Sequence, residues 1–143
     1  MSRRVFIVDT NVLVAGLITA ASDAPTARIV DAMLDGSLAY LLSGDLLREY
    51  RDVLLRPRIC RHHGLGEGDV DQILAEIVAN AVWFDPCPDV GSTSPDPRDA
   101  HLWALLAYEP TAVLITGDRL LLENPIPGRS IISPGAWMDY LGR

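Results

Sequence analysis

The chain of 143 residues has a formal net charge of -7 and is 49% apolar, which fits one domain over residues 1–143 with a proper core and argues against disorder. All twelve basic residues are Arg and none is Lys, so mechanisms built on a lysine amine, Schiff bases and the P-loop among them, are excluded, and the acidic balance argues against nucleic-acid binding over the whole surface. No apolar run approaches the ~20 residues of a membrane span, and Arg3-Arg4 precede only a short apolar run before Asp9; neither membrane nor signal segment is expected, and the expected compartment is the cytoplasm.

Val5 to Val8, mostly β-branched or aromatic, reads as a strand buried on both faces, and Asp9 stands where it stops. In open parallel α/β sheets chemistry gathers outside the carboxyl ends of the strands. Ala15 to Ala21 is small and apolar and reads as a helical turn or a loop. A helix is expected from near Asp23, with Pro25 early, to Leu34 before Gly36. Leu38 to Leu42 reads as a second strand, and Ser43 as the cap of a helix whose Leu46, Leu47, Tyr50, Val53 and Leu54 keep helical spacing until Pro57 closes it. Gly64 to Gly68 reads as a loop and Asp69 as the cap of a helix in which Val70, Ile73, Leu74, Ile77, Val78 and Ala81 recur at helical period. Val82 to Phe84 is a short strand, and Asp85 to Pro97 the longest loop. Asp96-Pro97-Arg98-Asp99 opens a further helix. Ala112 to Ile115 repeats the opening pattern, an apolar run followed by Thr116, Gly117 and Asp118. Ser130 to Ser133 reads as an edge strand, followed by a short covering helix with Trp137. Cys60 and Cys87 read as free thiols.

Four acids, Asp9, Glu49, Asp99 and Asp118, are thus expected at one rim. Glu49 sits one turn into a helix that starts there, although its spacing equally fits a surface acid paired with a neighbouring arginine. Asp99 equally fits a first-turn acid favoured by the helix dipole, worth ~0.3–1 kcal/mol. Crowded carboxylates need protons or cations, and with no lysine and no suitably placed histidine the natural counterion is a hard divalent cation, Mg²⁺ or Mn²⁺. Such a site suits metal-assisted phosphodiester hydrolysis. Thr10, Asn11 and Thr116 are expected to orient the carboxylates by hydrogen bonds, with capping and turn formation as the plainer alternative for Asn11. Arg48, Arg51, Arg56, Arg58 and Arg61, with His62 and His63, form a basic segment expected as a flexible turn that grips a nucleic-acid backbone, or else a solvated face paired with Asp45 and Asp52; Arg119 is the other candidate.

Phe6 to Leu13, the helix with Leu46-Leu47-Arg48-Glu49-Tyr50 and Leu54-Leu55-Arg56-Pro57, the Asp96-Pro97-Arg98-Asp99 segment and Ile115-Thr116-Gly117-Asp118-Arg119 together resemble a PIN domain, nearest to the VapC-like toxins of prokaryotic toxin-antitoxin modules. The resemblance implies a central parallel sheet of about five strands flanked by helices, and an Mg²⁺- or Mn²⁺-dependent endoribonuclease acting on RNA. It implies metal-binding and catalytic roles for Asp9, Glu49, Asp99 and Asp118, polar supporting roles for Thr10 and Thr116, a homodimer, and an antitoxin partner. Relatives often carry a further acid two residues after the last one, where this chain has Leu120; single-metal occupancy or low activity is the corresponding expectation.

A haloacid-dehalogenase phosphatase needs a second Asp where Asn11 stands, and it and a receiver domain both need a lysine. The remaining rival is a catalytically weak PIN module that binds RNA or a partner protein.

Overall fold

The computed structural model describes residues 4–84, 100–124, 128 and 130–141; Asp96, Pro97, Asp99 and Cys87 lie outside them. β1 (Phe6–Val8) is buried throughout, as its unbroken apolar run requires of a strand covered on both faces. It pairs in parallel with β4 (Val113–Ile115), which pairs in parallel with β5 (Ser130–Ile132). β2 (Leu41–Leu42) and β3 (Val82–Trp83) form a second parallel pair. A parallel bridge between Phe6 and Tyr40 joins the two pieces, with the Phe6 amide donating to the Ala39 carbonyl at 2.9 Å. The resulting order is β3-β2-β1-β4-β5, which accounts for the expected five strands.

That order fixes where the site lies. After β1 the chain moves to β2 on one side, and β4 returns on the other, so connections leave in opposite directions between β1 and β4. Ligands in open α/β sheets bind at such a switch point, beyond the carboxyl ends. Asp9 and Asp118 follow those two strands.

The crossovers are helical: α1 (Thr10–Ile18) and α2 (Pro25–Asp35) between β1 and β2, then α3 (Gly44–Leu54), α4 (Pro57–His63) and α5 (Glu67–Asn80) between β2 and β3. α6 (Ala100–Tyr108) precedes β4, α7 (Arg119–Glu123) joins β4 to β5, and α8 (Pro134–Leu141) follows. α1 packs closely on α2 at Gly16, where an added Cβ would lie 2.5 Å from the Thr26 carbonyl oxygen and from Val30 Cγ2. Gly36 ends α2 at φ 81°, a left-handed conformation that favours glycine. Two buried tyrosines tie helices to the sheet region: Tyr40 donates to the Ile77 carbonyl at 2.6 Å, and Tyr50 donates to the Val8 carbonyl. Burial pushes the Tyr40 phenol up to about 12. Burial, with the nearby Asp9 charge second, raises the Tyr50 phenol well above its ordinary value, so both stay neutral donors.

Three sequence expectations are corrected. The chain turns into α1 at Thr10, immediately after β1, and residues from 15 onward continue that helix to Ile18 before Thr19 caps it. The arginine-rich segment is not a flexible turn: Pro57 occupies the first turn of α4, where its missing N–H costs nothing, and Gly64 ends that helix at φ 69°. α5 starts before Asp69; Gly66 is its cap, and the Asp69 carboxylate accepts the Gly66 N–H at 3.1 Å from within the first turn. Ser43 caps α3 as expected, accepting the Leu46 N–H at 3.2 Å. No helix among the described residues is long and apolar enough to cross a membrane.

Candidate active site

The site is assembled from the first residues after β1 and β4. Asp9 is the cap of α1, and its Oδ1 accepts the Thr10 N–H at 2.8 Å. Its Oδ2 accepts the Thr116 hydroxyl at 2.8 Å and an Asn11 amide hydrogen at 3.3 Å. Thr116 has 0% exposure and Asp9 7%, so this is a nearly dry cluster in which an unpaired carboxylate would be costly. Asn11 also donates to Thr116 Oγ1 at 3.4 Å and accepts the Gly117 N–H at 2.8 Å. Thr116 Oγ1 in turn accepts the Asp118 N–H at 3.0 Å. The Thr116 hydroxyl therefore uses its one hydrogen on Asp9 and its lone pairs on Asn11 and Asp118. Asn11 thus does more than cap a helix: it bridges the ends of two neighbouring strands and holds Asp9 and the Gly117 turn in register. Asp118 caps α7, its Oδ1 accepting the Leu120 N–H at 2.9 Å.

Glu49 arrives from α3, anchored by the neighbouring Tyr50 bond to β1. Its Oε2 accepts the Thr10 hydroxyl at 2.5 Å and lies 3.0 Å from His101 Nε2. Thr10 therefore joins two acids, its amide on Asp9 and its hydroxyl on Glu49. The hydrogen bond with His101 is the largest influence holding the Glu49 carboxyl below the usual carboxylate range; partial burial opposes it, and the Thr10 hydroxyl and the His101 and Arg56 charges act in the same sense as the bond. His101 corrects the expectation that no histidine is suitably placed. Its side chain is 12% exposed and Glu49 is 34% exposed. The sequence carries only a partial signal, the place of His101 at the start of a helix expected at the rim; its partner lies 52 residues away.

Asp9, Glu49 and Asp118 line one open cavity of about 740 Å³, with Thr10 and Asn11 between them. Asp99 lies outside the described residues. Of the six candidate RNA-binding arginines, the described lining includes Arg56. Arg48 is exposed beside Asp45 at 3.3 Å, and Arg119 is exposed beside Glu123 at 3.3 Å. Arg51 ties α3 to α5, with Nε 2.9 Å from Asp71 Oδ1 and Nη2 2.8 Å from Glu67 Oε1, and those acids raise its affinity for its proton. Arg58 lies exposed in α4.

Among the described residues no three His, Cys, Asp or Glu side chains close into a ready ligand cage. The donors that do face the cavity are carboxylate oxygens, the chemistry of a hard cation that keeps much of its water shell rather than of zinc or copper. Glu49 Oε1 makes no hydrogen bond among the described residues, whereas both Asp9 oxygens are already oriented by donors. Leu120, where a further acid is common in the resembling family, is 71% exposed.

No curated protein matches the chain. A family model described as PIN domain matches residues 5–120, a span that runs from the entry into β1 past Asp118 and takes in all three cavity acids. With a parallel sheet of matching kind and its acids at the switch point, the chain belongs to the PIN-domain family, a nuclease-type fold.

Proposed function

We propose that the protein is a divalent-metal-dependent endoribonuclease that hydrolyses RNA phosphodiester bonds at the Asp9–Glu49–Asp118 cavity, and that it is the VapC-like toxin of a type II toxin-antitoxin module. The observation that carries the nuclease reading is the convergence of these three acids, from three separate elements, on one open cavity with Arg56 at its side. Asp9, Glu49 and Asp118 are the residues that would hold Mg²⁺ or Mn²⁺, with Asp99 the fourth by its place in the resembling motif. When bound, the cation supplies water activation and charge stabilisation for in-line displacement at phosphorus. The chain's own residues fix the geometry: Thr116 and Asn11 hold Asp9, while Thr10 and His101 hold Glu49 Oε2 and leave Oε1 to the cavity. Arg56 offers a positive charge to a phosphate. A homodimer, an antitoxin that blocks the cavity and a cytoplasmic location complete the proposal and rest on family resemblance. Metal-dependent cleavage of RNA by the purified protein, lost in Asp9→Asn, tests it.

A second reading, a catalytically weak module that binds RNA or a protein, draws on Leu120 and on the open ligand set among the described residues. It predicts RNA or partner binding that Asp9→Asn leaves intact, and no cleavage in Mg²⁺ or Mn²⁺.

A further inference from the structure

Helix α4 runs against the charge of the rest of the chain. The net charge is -7, yet this helix and its cap hold Arg56, Arg58, Arg61, His62 and His63 with no acid among them. Its inner residues are engaged with the fold. Ile59 lines the cavity, while Cys60 Sγ donates to the carbonyl of Leu54, the last residue of α3, at 3.3 Å, and His63 Nε2 stands 2.8 Å from the same oxygen. The Leu65 N–H donates to His63 Nδ1 at 2.9 Å, so the hydrogen of the neutral ring lies on Nε2 and is given to Leu54. These bonds pin a helix too short to hold by propensity alone. Arg58, Arg61 and His62, at i, i+3 and i+4, are left on the outer face, all exposed. Arg48 and Arg119 each meet an acid at 3.3 Å and Arg51 meets two, whereas Arg56, Arg58 and Arg61 form no ion pair among the described residues. Like charges three residues apart on one helix repel, and no acid among the described residues offsets the Arg58–Arg61 repulsion.

We propose that Arg58 and Arg61, continuing outward from Arg56, form a phosphate track that holds the RNA on one side of the cut only. The proposal rests on the nuclease reading and adds a positioning surface outside the cavity. Arg56 and Ile59 line the cavity, so the outer face of the same helix begins where the cavity ends. α3 and α4 belong to the crossover from β2 to β3, on one side of β1, whereas Asp118 follows β4 on the other side. There Arg119 already stands 3.3 Å from Glu123. A strand whose scissile phosphate lies among the acids therefore meets uncompensated arginines toward α4, and a compensated one toward α7. Side chains three apart on a helix have Cβ atoms ~5–6 Å apart, and a nucleic-acid strand advances ~3.4 Å per phosphate, so the two guanidiniums match phosphates about one or two nucleotides apart. The outer face offers no apolar anchor between its charges, which a protein partner would need, whereas a backbone needs only charge and donors. Phosphate contacts carry no sequence information, so the track sets the direction and length of RNA that is held, not its sequence.

The test uses a short RNA carrying a cleavage site and versions of it extended on the 5′ side, on the 3′ side or on both. Binding to Asp9→Asn in Mg²⁺ is followed by fluorescence anisotropy over a range of salt, alone and combined with Arg58→Gln/Arg61→Gln. Arg58→Lys/Arg61→Lys keeps the charge, and Arg48→Gln/Arg119→Gln changes the net charge of the molecule equally while leaving the track intact; circular dichroism checks that each variant folds. On the RNA extended on both sides, the glutamine pair on α4 should lower the slope of log affinity against log salt by about 1.4, from ~0.7 for each phosphate of a single strand, and weaken binding about tenfold at low salt. The lysine pair should keep the slope. One extension alone should reproduce the loss, and the other extension and the short RNA should show none. A slope unchanged by the glutamine pair, an equal loss on the short RNA, an equal loss with either extension, or the same loss from the Arg48/Arg119 pair would overturn the track. Absence of cleavage of any RNA by wild type would instead sink the nuclease reading, and the slope measured on the long RNA would still decide whether α4 holds phosphates.

Discussion

Thr116→Val isolates the hydroxyl that joins the two strand ends. The substitution keeps the side-chain shape at a position with 0% exposure and removes three contacts: the donation to Asp9 Oδ2 at 2.8 Å, and the acceptance from the Asp118 N–H at 3.0 Å and from Asn11 at 3.4 Å. A hydrogen bond to a charged group contributes ~1.5–3 kcal/mol, and the long Asn11 contact adds little. The Asp118 amide is only partly buried and can find water. The expected loss is therefore about 2 kcal/mol, or with a urea slope of ~2 kcal/mol per molar a fall of about 1 M in the midpoint. Equilibrium urea denaturation with chelator present measures it free of any metal contribution. Thr116→Ser keeps the hydroxyl and should recover most of the loss. A Thr116→Val midpoint within about 0.2 M of wild type, on the same slope scale, would refute the view that this hydroxyl holds Asp9.

Gly16→Ala should destabilise by ~1–3 kcal/mol, since the new Cβ would meet the Thr26 carbonyl oxygen at 2.5 Å; thermal denaturation reads the effect, and an unchanged melting temperature would mean α1 and α2 can separate freely. His101→Ala removes the partner of Glu49 Oε2 and should weaken Mn²⁺ binding by roughly 10–100-fold in calorimetry, with partial recovery in His101→Gln; undiminished affinity would remove His101 from the site. Because Glu49 binds its proton less readily folded than unfolded, its stabilising contribution is present above its ordinary value of 4.5 and disappears as pH falls below it through the lowered folded value. The stability difference between wild type and Glu49→Gln should therefore shrink on acidification below that value in chelator, and a difference independent of pH would contradict the assigned hydrogen bonds.

Asp9 and Asp118 were legible because each ends an apolar run long enough only for a buried strand, and a parallel sheet sends such endings to one edge. Glu49 was legible from the helical spacing of Leu46, Tyr50 and Leu54, which fixed its flank. The start of α1 was not: Val12, Leu13 and Val14 are all buried, and a helix covered on several sides lacks the polar face that makes a period visible. α4 was hidden because Pro57 punctuates both the end of one helix and the start of the next, and only the turn at Leu55–Arg56 decides between them. His101 escaped because its partner is 52 residues away and the pairing depends on how α6 crosses α3. The fates of the arginines were likewise tertiary: Arg51 meets α5, whereas Arg56, five residues on, meets the cavity.

The most direct measurement of the central claim is cleavage of a mixed panel of single-stranded and structured RNAs by the purified protein in Mg²⁺, in Mn²⁺ and in chelator, beside Asp9→Asn and Asp118→Asn. Asparagine can still cap α1 and α7 at these positions, so circular dichroism should confirm that both variants fold. Cleavage that requires the metal and disappears in both variants is the predicted result. Cleavage that persists in Asp9→Asn with the same metal dependence would contradict the assignment of the cavity as the active site.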